Sequence, residues 1–175
     1  MESSVAPHLE VFAVDRWSVR EMQLNPDKVK GLWEMLQRYP TLFSDLTRND
    51  QANFVQALTA PHTMWFEVWE YDVIVGVIWF EELWQVTDCL AHLVFFDRQP
   101  FEKTAVCKEM IKWMFKNFPL RRISVTPPAI YHGTIRLLKR LGFQKEGVKR
   151  EAVLIGGKWN DSVLFGITRS EVEAL

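Results

Sequence analysis

The chain has 175 residues, 48% hydrophobic and 25% charged, which is the composition of one ordinary globular domain of roughly 150 residues. These proportions exclude a disordered chain, a collagen and a long coiled coil. The longest uncharged apolar run, residues 73–80, is far shorter than the roughly 18 residues of a membrane-spanning helix, and the N-terminus lacks the basic and apolar regions of a signal peptide. We therefore expect a cytoplasmic protein without a membrane partner.

Charge is distributed unevenly, although the net charge is only −1. Residues 98–150 contain 13 Lys or Arg and three acids, and the rest of the chain contains eight Lys or Arg and 19 acids. Such a basic block favours a phosphorylated ligand, although solvated basic helix faces would give the same pattern. Aromatic residues do not alternate with Lys or Arg on one strand face, so nucleic acid is not an expected partner.

The first half of the chain predicts two helices. Asn25 is a suitable N-cap and Pro26 a suitable first-turn residue, and apolar residues then recur at helical spacing until Pro40 ends the helix. A second, shorter helix is expected over residues 50–58. Both helices should pack on a sheet.

The next segment predicts three strands. Residues 64–80 are rich in aromatic and β-branched side chains and are interrupted by a turn-like sequence at 70–72, which indicates a hairpin. A third strand is expected over residues 86–96, in which one face would carry Asp88, Leu90, His92 and Val94 and the other Cys89, Ala91, Leu93 and Phe95.

The second half predicts a helix, a strand, a helix and a final hairpin. The clearest helical stripe covers residues 101–118, a short strand covers 122–126, and a further helix ends at Gly142. Two strands, 148–155 and 159–168, flank a pair of glycines. Without repeats or linkers, the chain is expected to form one mixed α/β domain over residues 1–175, with about seven strands and four helices.

Three short motifs carry a family resemblance. A Leu-Gly-Phe sequence ends the predicted helix at Phe143, Glu146-Gly147 follows it, and residues 157–161 read Gly-Lys-Trp-Asn-Asp. With the element order, these motifs resemble the GNAT acyltransferases, which transfer an acetyl group from acetyl-CoA to an amine, and within them the branch that acetylates the N-termini of ribosomal proteins. The resemblance implies a mostly antiparallel sheet with a central, splayed parallel pair of strands. It also implies acetyl-CoA as cofactor, and an amine-bearing small molecule or a protein N-terminus as acceptor.

The resemblance also implies where the cofactor binds. Strands 86–96 and 122–126 would diverge and leave backbone groups for the pantetheine arm, and backbone N–H groups near the end of the first strand would bind the thioester oxygen. The pyrophosphate would bind at the N-terminus of helix 101–118. The implied cofactor-binding residues are Phe95, Phe96, Gln99, Lys103, Thr104, Ala105, Tyr131 and Thr134.

The expected phosphate loop departs from the family pattern. Gln99 fits it, but Glu102 stands where a glycine is expected and Pro100 removes a backbone donor. A carboxylate beside a phosphate is repulsive, which Lys103 would offset only in part. The tyrosine that many relatives use to protonate the leaving thiolate corresponds to Leu138. We therefore expect acetyl-CoA to bind weakly.

An amine nucleophile needs a general base, and two residues are candidates. His92 lies in the middle of a predicted strand with Asp88 on the same face, and Glu82, with Glu81 before it, follows a strand near the expected acceptor groove. Each has a structural alternative, since His92 could be a core residue and the carboxylates solvated strand ends. No Ser/His/Asp or Cys/His nucleophile pattern is present, and Cys89 and Cys107 are expected in the core, with no metal site.

The sequence leaves two functional hypotheses. The favoured one is an acyl-CoA-dependent N-acyltransferase in which an amine attacks the thioester directly. The alternative is a catalytically inactive GNAT-fold module that binds proteins in an assembly or virion through exposed aromatic residues, since eight Trp are more than the core of so small a domain needs.

Overall fold

The computed structural model describes residues 10–39, 43–83, 87–96 and 103–173. The strands are β1 (Glu10–Val14), β2 (Trp17–Glu21), β3 (Met64–Glu70), β4 (Val73–Glu81), β5 (Leu90–Phe95), β6 (Arg122–Val125), β7 (Gln144–Ile155) and β8 (Lys158–Thr168). The helices are α1 (Pro26–Arg38), α2 (Asp45–Arg48), α3 (Gln51–Leu58), α4 (Thr104–Asn117), α5 (His132–Arg140) and α6 (Arg169–Glu173). Among these helices none is long and apolar enough to cross a membrane.

The predicted helix boundaries follow from local capping. The Asn25 side chain accepts a hydrogen bond from the backbone N–H of Lys28, and Asp50 does the same for α3. Gly142, just after α5, has a φ of 92°, the left-handed conformation that a helix C-terminus favours. The sequence-derived ends of α1, α3 and α5 are therefore confirmed.

Some predicted boundaries were wrong. Strand β5 begins at Leu90 rather than at residue 86, and α4 begins at Thr104 rather than at 101. The described residues form eight strands and six helices, where about seven and four were expected. The short helices α2 and α6 are anchored by tertiary hydrogen bonds, which leave no periodicity in the sequence.

One mixed sheet organises the fold. Its strand order is β1-β2-β3-β4-β5-β6-β8-β7, and every pair of neighbours is antiparallel except β5 and β6. Helices α4 and α5 cover one face with a large apolar cluster that includes Phe95 and Met110, and α1 and α3 cover the other with a smaller cluster that includes Trp65, Trp79 and Val94. Successive residues of β5 therefore point into different layers.

Gly76 sets the spacing between β4 and β5. A Cβ at this position would lie 2.5 Å from Cδ1 of Phe95 and 2.6 Å from the carbonyl oxygen of Val94. The Val94 carbonyl belongs to the strand backbone and cannot yield without moving β5. Only glycine therefore allows the observed approach of the two strands.

We expect Gly76→Ala to lower the free energy of unfolding by about 1–3 kcal/mol, the usual range for overpacking a core. The matched control is Gly31→Ala in α1, where a Cβ would meet nothing within 4 Å and alanine should stabilise the helix by about 1 kcal/mol. Urea denaturation followed by circular dichroism measures both. Equal stability of the two variants would contradict this account of the strand spacing.

Candidate functional site

The parallel strands β5 and β6 separate almost as soon as they meet. Their register is limited to Leu90 opposite Ser124, and the Ser124 N–H donates to the Cys89 carbonyl at 2.9 Å. Beyond Val125 the chain continues beside β8, with which β6 is paired on its other edge, and the N–H of Val163 donates to the Pro127 carbonyl at 2.9 Å. A gap therefore opens between the second half of β5 and the segment that follows β6.

Two backbone N–H groups of β5 face this gap. The Phe96 N–H donates to the Val75 carbonyl at 2.9 Å, so Phe96 and Val75 form a hydrogen-bonded pair of β5 and β4. Because such pairs alternate along an antiparallel ladder, Ala91, Leu93 and Phe95 direct their N–H groups away from β4. The Ala91 N–H lies at the bridge to Ser124, where β5 and β6 still pair, so the groups that face the gap are those of Leu93 and Phe95. This corrects the expectation for Phe96, whose donor is occupied, while Phe95 stays a candidate.

Three flat rings stack across strands β3, β4 and β5 beside the gap. The Trp65 and Trp79 ring centroids are 4.5 Å apart with an interplanar angle of 12°, and those of Trp79 and His92 are 4.6 Å apart with an angle of 4°. These separations match the distance between neighbouring strands, so the rings stand side by side on one face of the sheet. We call Trp65, Trp79 and His92 the ring ladder.

Glu81 fixes the His92 end of the ladder. Its Oε2 atom lies 3.4 Å from His92 Nε2, within ion-pairing distance but without hydrogen-bond alignment, and its Oε1 accepts a hydrogen bond from Trp79 Nε1 at 3.0 Å. His92 lowers the pKa of Glu81 against the opposing effect of burial. Glu81 therefore tends to stay ionised beside the imidazole.

The carboxylates expected near His92 are differently placed. Glu82 is exposed, has a left-handed backbone with a φ of 62°, and does not line the cavity described below, so the structure puts Glu81 in its place. Asp88 accepts hydrogen bonds from the Ser124 hydroxyl at 3.0 Å and lies 3.4 Å from Arg122 Nε. It precedes β5 rather than sharing a strand face with His92, so that expectation was wrong.

A cavity of about 340 Å³ lies at the gap on the ladder side of the sheet. Its polar lining includes His92, Glu81 and Tyr131, and its other walls come from helices α2 and α3 and from the β7–β8 hairpin. The remaining lining residues are Phe43, Ser44, Thr47, Phe54, Ala57, Leu58, Trp65, Trp79, Thr126, Pro128, Ala152, Val153, Ile155 and Ser162. The volume falls in the usual range for a small-molecule site.

Asp45 holds two of these walls together. This buried carboxylate, in the first turn of α2, accepts hydrogen bonds from Gly156 N–H at 3.1 Å and Gly157 N–H at 2.7 Å in the β7–β8 turn. The Gly157 N–H, and after it the Gly156 N–H and Arg48, lower the pKa of Asp45 against burial. Both glycines have a positive φ, 60° and 72°, a conformation that favours glycine.

Residues of α5 form the far side of the gap. Tyr131 precedes the helix, lines the cavity, and has its pKa raised to about 12 by burial and by the charge of Asp45. Its phenol therefore stays protonated and can donate a hydrogen bond. Thr134 is half-buried in the first turn, and Leu138 is 1% exposed and packs in the large apolar cluster.

The expected phosphate side is the start of α4, where Lys103, the N-cap residue, is buried. Thr104 and Ala105 open α4, which has no side-chain N-cap hydrogen bond, whereas Gln99 lies outside the described residues. Lys103 is fully buried, and its Nζ lies 5.1 Å from the Trp17 ring centroid and 5.7 Å from that of Phe95. The Lys103 ammonium thus faces aromatic side chains rather than a surface phosphate site, contrary to expectation.

The cysteines and tryptophans divide between core and surface. Burial raises the pKa of both Cys89 and Cys107 to about 12, so neither is a thiolate nucleophile at neutral pH. Trp113 packs against Phe66 with ring centroids 5.6 Å apart, and Trp159 is 57% exposed. Within the described ranges no cluster of three His, Cys, Asp or Glu is arranged to bind a metal.

Comparison with known proteins relates the chain to acetyltransferases. No protein-family model matches it. Over 79 residues it is 32% identical to the SPbeta prophage-derived uncharacterized N-acetyltransferase YokL of Bacillus subtilis (strain 168), a match covering 43% of this chain and 45% of that protein. The matched part of the chain thus spans less than half the length of this curated relative.

Solved structures match over nearly the whole chain. Spermidine N-acetyltransferase from Vibrio cholerae in complex with CoA and spermine has a TM-score of 0.71 and 12% identity, covering 90% of this chain and 98% of that one. Ribosomal-protein-S5-alanine acetyltransferase from Vibrio fischeri has a TM-score of 0.67 and 18% identity, covering 90% and 95%. At such identities the likeness establishes the fold, so the expected GNAT-like mixed α/β fold is confirmed.

We expect Glu81→Gln to destabilise the protein near pH 6 and to have progressively less effect as the pH falls below about 4.5. The folded-state pKa of Glu81 lies below its ordinary value of 4.5, so its contribution to stability is present above that value and is lost as the pH falls through the folded pKa. Thermal unfolding between pH 6 and 3 measures the difference. A destabilisation that does not change with pH, or that is equalled by Glu82→Gln, would contradict the pairing with His92.

Proposed function

We propose that this chain is an N-acyltransferase that uses acetyl-CoA and an amine, with His92 as general base. The observation that carries the proposal is the gap between β5 and β6, which has backbone donors on one edge and the His92–Glu81 pair beside it. The acetyltransferase fold and the N-acetyltransferase YokL support the same chemistry. When bound, acetyl-CoA would supply the acyl group as a thioester, the electrophile for an amine.

His92 is suited to remove a proton from the amine. In the tautomer that carries its proton on Nε2, the imidazole directs that proton toward Glu81 and leaves Nδ1 as the acceptor. The nearby Glu81 carboxylate, 3.4 Å away, stabilises the imidazolium that forms. The pair thus combines a base with a carboxylate that stabilises its protonated form.

The backbone of β5 supplies the donors for the developing negative charge. The N–H of Leu93 directly follows His92 and faces the gap, so it is the donor best placed for the oxygen of the group under attack. Phe95 lies about 10 Å beyond His92 along the strand, since a strand rises about 3.3 Å per residue. Its N–H is better placed to pair with the pantetheine arm.

The residues around the gap fit acetyl-CoA in part. Thr104 and Ala105 open helix α4, and the positive end of a helix dipole suits a phosphate. The apolar space between β5, β6, α4 and α5 is only about 30 Å³, so the arm would have to lie along the open edge of the gap. The small apolar space and the burial of Lys103 both favour weak binding of acetyl-CoA.

The same features support a second candidate, a catalytically inactive GNAT-fold module. It would retain the architecture and bind a protein partner, and Trp159, 57% exposed, would provide an aromatic contact. The two candidates differ in whether the gap binds acetyl-CoA.

Titration calorimetry with acetyl-CoA separates them. If the chain is an acyltransferase, acetyl-CoA should bind at micromolar to millimolar concentration, and an added amine should cause the release of free CoA thiol. The absence of heat at millimolar acetyl-CoA would contradict the enzyme and leave the inactive module.

We expect His92→Ala to lower kcat by on the order of 10²-fold at neutral pH, as loss of a general base usually does, and to remove the acidic limb of the pH–rate profile. Acetyl-CoA affinity should stay within about twofold, since the side chain faces the cavity on the other side of the sheet from α4. Glu82→Gln is the control, because that carboxylate is exposed and lies outside the cavity. An unchanged rate and pH profile for His92→Ala would remove His92 as the base.

A further inference from the structure

We infer that the acceptor is a small molecule with a single amine on a flat, aromatic body, and that this body stacks on His92. The inference rests on the proposed function and specifies the acceptor for the same site. Three features of the cavity support it: the end of the ring ladder, the charge of the walls, and the closure by α2.

The ring ladder ends at His92, where the chain after β6 has diverged from β5. Continuing the parallel register from Leu90 and Ser124 places Thr126 beside His92, and Thr126, Pro128 and Tyr131 form the opposite wall of the cavity. The slot, which is the part of the cavity between the imidazole and this wall, therefore lies next to the last ring of the ladder. A planar group in the slot would continue the stack at the spacing that the protein's own rings have.

His92 exposes its ring rather than the nitrogen that faces Glu81. The side chain is 29% exposed, although Nε2 is buried. The accessible part is therefore the remainder of the imidazole. A flat ligand can cover it and present an amine to Nδ1.

The cavity walls can pair with one positively charged group. Glu81 is the only carboxylate among the described lining residues, and none of those residues is Lys or Arg. Asp45 is nearby, but it is engaged by two backbone N–H groups and lies 3.6 Å from Arg48. A polyamine would need several carboxylates, so one amine on an apolar body fits better.

The closure of the cavity limits the size of the acceptor. Helices α2 and α3 cover it, and Asp45 ties α2 to the β7–β8 turn. A volume of about 340 Å³ holds a ring with a short amine-bearing chain. A protein N-terminus would have to enter as an extended chain past the contact between α2 and the β7–β8 turn.

Calorimetry with three amines tests the inference without turnover. We expect 2-phenylethylamine to bind on the order of tenfold more tightly than 2-cyclohexylethylamine, which has similar apolar surface but is not flat, and more tightly than spermine. Equal affinity for the flat and the puckered amine, or tighter binding of spermine, would overturn it. An alanine-initiated peptide that binds more tightly than 2-phenylethylamine would also overturn it.

Two variants test whether the preference for a flat amine arises in the slot beside His92. Acetylation assays then separate this preference from the proposed function. Tyr131→Leu, which replaces the flat wall of the slot, should reduce the preference for the flat amine severalfold, whereas Trp159→Ala, on the exposed face of β8, should not change it. If the flat amine binds with this preference but no amine is acetylated, the proposed function fails, and only the preference of the cavity for a flat amine stands. If acetylation occurs with spermine preferred, the inference fails and the proposed function stands.

Discussion

The structure depends on the early divergence of the two parallel strands at the centre of the sheet. Strand β6 pairs with β8 along its whole length, and the chain after it stays with β8, as the contacts of Pro127 with Val163 and of Ala129 with Asp161 show, whereas its pairing with β5 is limited to Ser124 opposite Leu90. A buried sheet cannot leave many backbone groups unpaired, so a gap of this kind is unusual without a ligand to fill it. The gap leaves N–H groups of β5 facing outward and places the cavity beside His92.

Local signals in the sequence were sufficient for most of the fold. The cap at Asn25 and the left-handed Gly142 are short-range features, and the structure has both where the sequence predicted them. The β1–β2 hairpin has weaker signals, because its five-residue strands mix polar and apolar side chains. Helix α2 depends on the contact of Asp45 with a turn more than 100 residues away, which no local pattern encodes.

The candidate site was predicted less completely than the fold. His92 follows from its position in a strand, but the choice between Glu81 and Glu82 depends on where β4 ends and the backbone turns left-handed at Glu82. The ladder could have been anticipated, because Trp65, Trp79 and His92 each occupy strand positions that register brings side by side. The burial of Lys103 could not, since a lysine at a helix start is ordinarily solvated.

Backbone amide hydrogen exchange in β5, with and without acetyl-CoA, tests the role of the gap most directly. The N–H groups of Leu93 and Phe95 face the gap, whereas those of His92, Val94 and Phe96 bond to β4 and that of Ala91 lies at the bridge to Ser124. We therefore expect acetyl-CoA to slow exchange at Leu93 and Phe95 and to leave the other four residues nearly unchanged. Protection of all six residues alike, or of none at saturating acetyl-CoA, would contradict the assignment of the gap as the cofactor site.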